Sequence, residues 1–148
     1  MPAGDEREPR VASAPQGAVP TGVRHPFEYA IVRVVPRVER GEGVNAGIVL
    51  MCRPRRFLAA AMALDEGLIS ALAPDCDLGD VRTHLDLIVA IAAGEPDAGP
   101  IARLTLAERF HWLVAPSSTI IQPSAVHTGL TDDPAATLAH LVRTLVRR

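Results

Sequence analysis

Two strand-like runs stand close together: "FEYAIVRVV" over Phe27–Val35 and "NAGIVLMC" over Asn45–Cys52. Both are rich in β-branched and aromatic or aliphatic residues, and the polar stretch between them carries Gly41 and Gly43. That pattern is a β-hairpin. Strand parity places Tyr29, Ile31, Arg33 and Val35 on one face and Ala30, Val32 and Val34 on the other. The first strand is therefore apolar on both faces except at Arg33. A guanidinium there wants an anion: either Glu39 or Glu42 in a structural ion pair, or an anionic ligand.

The stretch "RGEGVNAGIVL" over Arg40–Leu50 invites comparison with a phosphate loop. A Walker loop needs Lys and Ser/Thr after its last glycine, and a dinucleotide loop needs a helix directly after it. Gly41, Gly43 and Gly47 fit neither spacing, a strand follows, and Glu42 repels phosphate. The stretch reads instead as a hairpin loop. Gly47, inside the strand, marks a bulge or a place where another group packs on bare backbone.

A third apolar run, Arg56–Leu64, follows a turn at Arg53–Pro54, and its alanines leave strand and helix both open. Helical periodicity comes next. Asp65 caps a short helix ending by Pro74, and Asp80 caps a longer one through Ala93, stopped by Gly94. Val81, Leu85, Ile88 and Ala92 share a face of the longer helix. Thr105 and Glu108 form a capping box for a helix ending before Pro116. Ser118–Val126 is extended, with Pro123 indicating an edge or bulge, and Gly129 is a turn signal. Asp133–Pro134 opens a terminal helix with Leu138, Leu141, Val142 and Leu145 facing inward. Strands, helices, a strand and a helix make an α+β domain. A small, mainly antiparallel sheet, an N-terminal hairpin or meander plus a late strand, is packed by three to four helices.

The 148 residues suit one domain over 26–148, preceded by a disordered arm over 1–25 that holds Pro2, Pro9, Pro15 and Pro20. With aromatics at 3%, the core must be mostly aliphatic. All 15 Lys+Arg residues are Arg, which with abundant Ala points to a GC-rich bacterial genome. The net charge of −2 gives no reason to expect nucleic acid or an anionic membrane as partner. Arg53/Arg55/Arg56 and Arg143/Arg147/Arg148 form local basic clusters, read as solvated element ends. Two cysteines without C-x-x-C spacing, no secretory segment and no run long enough to span a bilayer indicate a cytoplasmic protein.

A second constellation runs from Arg109-Phe110-His111-Trp112 through Ser117, Ser118, Gln122, Ser124, His127 and Thr128. Leu106, Phe110 and Leu113 face the core, and the three-residue spacing allows Arg109 to stack on Trp112. No G-x-S-x-G or S-x-x-K nucleophile motif occurs. Cys52 as nucleophile with His127 as base joins two residues that no motif connects. The five histidines give no H-x-x-x-H or H-x-x-H pair, and Asp80/His84 reads as a helix-surface pair. No metal or cofactor is expected.

"YAIVRVVPRVERGEGVNAGIVLMC" and "RFHWLVAPSSTIIQPSAVHTGL", in this order, resemble a bacterial family known as domain of unknown function thirty thirty-seven. The likeness covers about residues 27–147. Arg33, Pro36, Arg40, Gly41, Glu42, Asn45 and Gly47 match the first motif. Arg109, Phe110, Leu113, Gln122, Pro123, His127, Thr128 and Gly129 match the second. Gly43 stands where the family usually has a bulky apolar residue, and Ser117 where Arg is common. The resemblance implies no reaction. It implies a partner, because some members are encoded beside kinase-like proteins similar to the HipA toxins.

Two readings follow. One is a non-catalytic accessory or interaction protein presenting its hairpin and "STIIQP" strand to a protein partner, with a homo-oligomer left open. The alternative is a small enzyme or phosphoryl-ligand or nucleotide binder whose Arg33, Arg40, Arg109 and His127 surround one pocket, with Glu42 as acid or base. The candidate patch for either is Arg33, Arg40, Glu42, Asn45, Arg109, Trp112, Gln122, His127 and Thr128.

Overall fold

The computed structural model describes residues 22–148, so most of the arm expected over 1–25 lies outside the described residues. Five strands follow in chain order: β1 His25–Arg37, β2 Glu42–Cys52, β3 Phe57–Met62, β4 Ile121–Pro123 and β5 His127–Thr131. The helices are α1 Glu66–Leu72, α2 Leu78–Ala93, α3 Leu106–Leu113 and α4 Pro134–Leu141. All pairings are antiparallel. The sheet runs β3–β2–β1, and β4 and β5 share the far edge of β1. This is the expected α+β architecture. The Ala-rich third run is a strand because pairing along β2, from Cys52–Phe57 to Gly47–Met62, overrides the helix preference of alanine.

Helices cover both faces of the sheet. On one side α1–α3 pack on Val32, Val34, Val49 and Met51, with Phe110 fully buried among them. On the other, Leu138 of α4 and Val142 just beyond it lie on Ile48, Leu50 and Cys52. β2 is consequently buried at every residue from Ala46 to Cys52, which explains its unbroken apolar sequence.

The helix ends follow the sequence signals with one shift. Asp65 accepts from Leu68 N at 3.0 Å, but α2 is capped by Asp77, which accepts from Asp80 N at 3.1 Å. Asp80, expected as the cap, sits in the first turn, where a carboxylate also suits the helix dipole. Gly94 ends α2 at φ 73°, Thr105 and Glu108 form the capping box, and Asp133 caps α4 with Pro134 following. Beyond Leu141, the last helix widens into a π-turn over Val142–Val146.

Two glycines are explained by close approach. Val32 pairs with Gly47 and Arg33 with Asn45, so Ala46 is an extra residue and the bulge expected here is present. A Cβ on Gly47 would lie 2.6 Å from Ala61 O and against the Met62 sulfur. Gly129, expected as a turn, lies within β5. The Phe27 ring crosses it, at 2.7 Å from where a Cβ would stand.

Candidate functional site

The candidate residues fall into three places. Arg33, Asn45, Gln122 and His127 occupy the sheet face that α4 covers. Gln122 is the cross-strand neighbour of Arg33, and His127 that of Tyr29. Tyr29 and Arg33 share a face, four residues apart along β1, or about 13 Å. Arg33 and His127 therefore face the same side without touching. Thr128 follows His127 in β5 and points to the opposite face, beside Glu28.

Arg33 takes neither glutamate offered by the hairpin. Its Nε donates to Asn45 Oδ1 at 3.3 Å, and Asn45 Nδ2 donates onward to Leu145 O at 3.0 Å. Glu42 is held by Arg40 instead, through bonds of 2.8 and 3.1 Å. The two-residue spacing at the hairpin tip makes that bidentate fork local and solvent-exposed. The hydrogen bond and charge of Arg40 hold the Glu42 carboxyl below its ordinary range, while Glu42 raises the guanidinium. Gly43 has a specific role here. A Cβ at this position would stand 2.7 Å from Arg33 Nη2, so the glycine makes room for the guanidinium. A larger side chain here would push the arginine aside.

Gln122 is tied to the loop before it, its Nε2 donating to Thr119 O at 2.8 Å. Ser117 Oγ lies 2.9 Å from Thr119 Oγ1 and accepts from Thr119 N at 3.3 Å, so this residue orders the loop. His127 is exposed, with its ring centroid 5.2 Å from that of Tyr29. Within "VHTGL", His127–Leu130 pair with the beginning of β1, from Tyr29 back to Pro26, and so the segment does not fold back on the hairpin residues.

The remaining pair lies on the other side of the sheet. Arg109 does not stack on Trp112 as its spacing allows. Its Nη1 donates to Leu104 O at 2.9 Å and its Nη2 to Ala92 O at 3.4 Å, placing the cation at the C-terminal end of α2. A helix end with unpaired carbonyls attracts the guanidinium more strongly than an indole in water does. Trp112 is left 49% exposed. It lines a groove of about 510 Å³ between α2, the end of α3 and the 115–121 loop. Leu87, Ile88, Ile91, Ile120 and Ile121 make most of its apolar wall, and Asp80, His84, Ser117 and Thr119 supply polar groups. Asp80 Oδ2 and His84 Nδ1 are 3.7 Å apart, the surface pair that their spacing indicates.

The groove was only partly legible. Residues 80, 84, 87, 88 and 91 form a second stripe on α2, beside the core stripe of Val81, Leu85 and Ala92. Leu87 and Ile91 fall outside the face first assigned, and that excess apolar width was the available signal.

Among the described residues, no group of three or more His, Cys, Asp or Glu side chains is placed to hold a metal ion, and no helix is long and apolar enough to cross a membrane. No curated protein and no solved structure matches the chain. A family model does, described as "Protein of unknown function (DUF3037)", over residues 29–146. That span takes in the whole sheet from Tyr29 on, both motifs and all four helices, and the chain belongs to the DUF3037 family.

Proposed function

We propose that this chain is a non-catalytic accessory protein of the bacterial cytoplasm that binds a protein partner through the Trp112 groove. The observation that carries the reading is the exposure of Trp112, Leu87 and Ile120 around one cleft. Large apolar side chains gathered on a surface cost solubility, and partly desolvated aromatics are what protein interfaces use as anchors. The complementary segment carries aliphatic or aromatic side chains for the Leu87/Ile120 wall and a basic residue for the Asp80 end. The family resemblance makes a HipA-like kinase the first partner to test.

The polar candidates support this choice by being committed to the fold. Arg109 bonds two main-chain carbonyls, Asn45 bonds the last helix, and Arg40 and Glu42 bond each other. The alternative phosphoryl-ligand pocket needs Arg33, Arg40, Arg109 and His127 to converge. Arg109 belongs to the opposite layer and Arg40 to the hairpin tip, which leaves that pocket Arg33 and His127 alone.

The test is co-expression with a HipA-like kinase from the same genome, followed by titration of the purified pair. Trp112→Ala should weaken binding by about 30-fold, as loss of an interface anchor does. Arg40→Ala, at the hairpin tip, should leave it unchanged. Equal affinity for Trp112→Ala and the parent chain would sink the reading, as would tight stabilisation by a nucleotide in a thermal-shift screen.

A further inference from the structure

The two edges of the sheet are treated differently. At the β4 edge, Val35 N donates to Ile120 O and Ser124 N to Ile31 O, so residues 120, 122 and 124 bond inward to β1. The main-chain groups of Ile121 and Pro123 therefore point away from the sheet. Pro123 has no N–H, and Ile121 O already accepts from Thr119 Oγ1 at 3.0 Å. Proline and a local hydrogen bond leave this edge little main chain to offer an added strand.

The β3 edge carries no such protection. Since Ile31, Arg33 and Val35 bond toward β4 and the loop beside it, Val32 and Ala30 bond toward β2 through Gly47 and Val49. The alternation continues: Ile48, Leu50 and Cys52 bond to Ala61, Ala59 and Phe57. Leu58, Ala60 and Met62 then present their N–H and C=O groups outward. None of these six groups has a hydrogen-bond partner among the described residues. The strand "FLAAAM" contains no charge, no proline and no bulge, the devices that natural edges use against pairing.

What flanks the strand identifies what covers it. Before it stand Arg53, Arg55 and Arg56, all exposed, and after it Asp65 and Glu66, on the first turn of α1. In an antiparallel pairing of two copies centred on Ala60, each residue meets the one equally far on the other side of position 60. The exposed Arg53–Arg56 turn of one copy then stands at the end of the seam where the acidic start of α1 lies in the other. Within each copy Arg55 already donates to Asp132 O at 2.9 Å and Glu66 accepts from Arg82 at 2.7 Å, which leaves Arg53, Arg56 and Asp65 as the charges free of an ion pair among the described residues. Leu58 opposes the partner's Met62, and about six main-chain hydrogen bonds form from the three outward residues of each strand. A two-fold axis needs a surface complementary to itself, and a strand with a basic start and an acidic end is one.

We propose that the protein forms a two-fold dimer through its β3 edges, joining two five-stranded sheets into one antiparallel sheet, with the Arg53–Arg56 turn of each copy against the acidic start of α1 in the other. This surface is separate from the Trp112 groove, so either can fail without the other.

The experiment is sedimentation equilibrium of the full chain across a dilution series, with amide hydrogen exchange at the two ends of the series. The parent chain should sediment as two copies and fall to one on dilution, and its affinity should weaken with added salt. Amides of Leu58, Ala60 and Met62 should be protected only in the concentrated sample, and those of Ala59 and Ala61 in both. Ala60→Pro removes an outward N–H without breaking a bond inside the sheet and should weaken the dimer about tenfold or more. Arg55→Glu, in an exposed turn, gives up one bond to Asp132 O within its own copy, at 2.9 Å; it should weaken the dimer as well and keeps the test valid if the proline variant does not fold. A monomer at every concentration overturns the proposal. So does a dimer that Arg55→Glu leaves intact while Leu58, Ala60 and Met62 exchange freely.

Discussion

Asn45 Nδ2 donates to Leu145 O at 3.0 Å across 100 residues of sequence, fastening β2 to the π-turn that ends the chain's last helix. The last carbonyls of a helix have no intrahelical donor, so the asparagine fills a vacancy that the widened turn creates. Its Oδ1 accepts from Arg33 Nε, which fixes the orientation of the amide. Asn45→Ala should destabilise the fold by about 1–3 kcal/mol, the cost of unpaired, partly buried polar groups. Asn45→Asp keeps a partner for Arg33 but offers Leu145 O no donor, so it should fall between parent and alanine variant in a denaturant titration. An Asn45→Ala variant as stable as the parent would show that the helix end is held by packing alone.

The three glycines on β2 and β5 should rank by what a methyl group meets. At Gly47 the obstacle includes main chain, Ala61 O at 2.6 Å, and at Gly129 it is the Phe27 ring at 2.7 Å. Neither gives way cheaply, so each alanine variant should lose about 1–3 kcal/mol. At Gly43 the obstacle is mainly the end of the Arg33 side chain, which can swing out. Gly43→Ala should stay within about 0.5 kcal/mol of the parent. Thermal melts of the three variants check the order, and a Gly43 variant as unstable as the Gly47 variant would contradict it.

Local signals made most of the architecture legible. Continuous runs of β-branched and other apolar residues gave β1 and β2, and the Asp65, Thr105 and Asp133 caps gave three helix starts, because each depends on residues close in sequence. Partners distant in sequence stayed hidden. Arg33 was matched to Glu39 or Glu42 by proximity along the chain, yet a two-residue fork between Arg40 and Glu42 closes more readily than a reach across the hairpin. Likewise nothing near Arg109 in sequence announces that Ala92 O will lie beside it. Gly129 resembled a turn because the ring that explains it, Phe27, is carried by β1.

Three carboxyl groups tie acid stability to named contacts. Glu66 is held below its ordinary range by the Arg82 hydrogen bond, Glu42 by that of Arg40, and Glu108 by the Thr105 amide and hydroxyl. A carboxylate depressed in the folded state contributes stability that is present above the unfolded value of about 4.3 and is lost as pH falls through the folded value. Stability should therefore hold steady at neutral pH and decline below about pH 4.3. Because these groups face water, the two ion pairs should weaken with salt, and Thr105→Ala should flatten part of the acid decline. Urea titrations at stepped pH provide the check. A stability that rises on acidification would reverse the assigned sign.

Cys76 should react sluggishly with alkylating reagents. Burial is the first cause raising its thiol, and Asp77, Asp75 and Asp80 add negative charge around it. The thiolate is the reactive form, so at pH 8 the rate should lie well below that of a free cysteine in the unfolded chain. Asp77→Asn and Asp75→Asn should each accelerate it. Asp77 also caps α2, whereas Asp75 gives up only an exposed pair with Arg37 at 3.1 Å, so the Asp75 variant is the cleaner probe. Alkylation as fast in the native protein as in urea would contradict this placement of the charges.

Arg109 decides how a motif residue should be interpreted when its relatives carry no known activity. The guanidinium reaches Leu104 O and Ala92 O at the end of α2, where the helix dipole favours a cation. Its Nε is buried without a partner, a cost accepted for the two bonds the other nitrogens make. If the residue is kept for the fold, Arg109→Ala should cost about 1.5–3 kcal/mol, the range for hydrogen bonds to a charged group. Arg109→Lys should recover only part of that, since an ammonium cannot span both carbonyls as a planar fork does. If the residue is instead kept for a ligand, both variants should melt with the parent and differ only in binding. Paired melts and partner titrations separate the two, and the two main-chain bonds favour the first outcome.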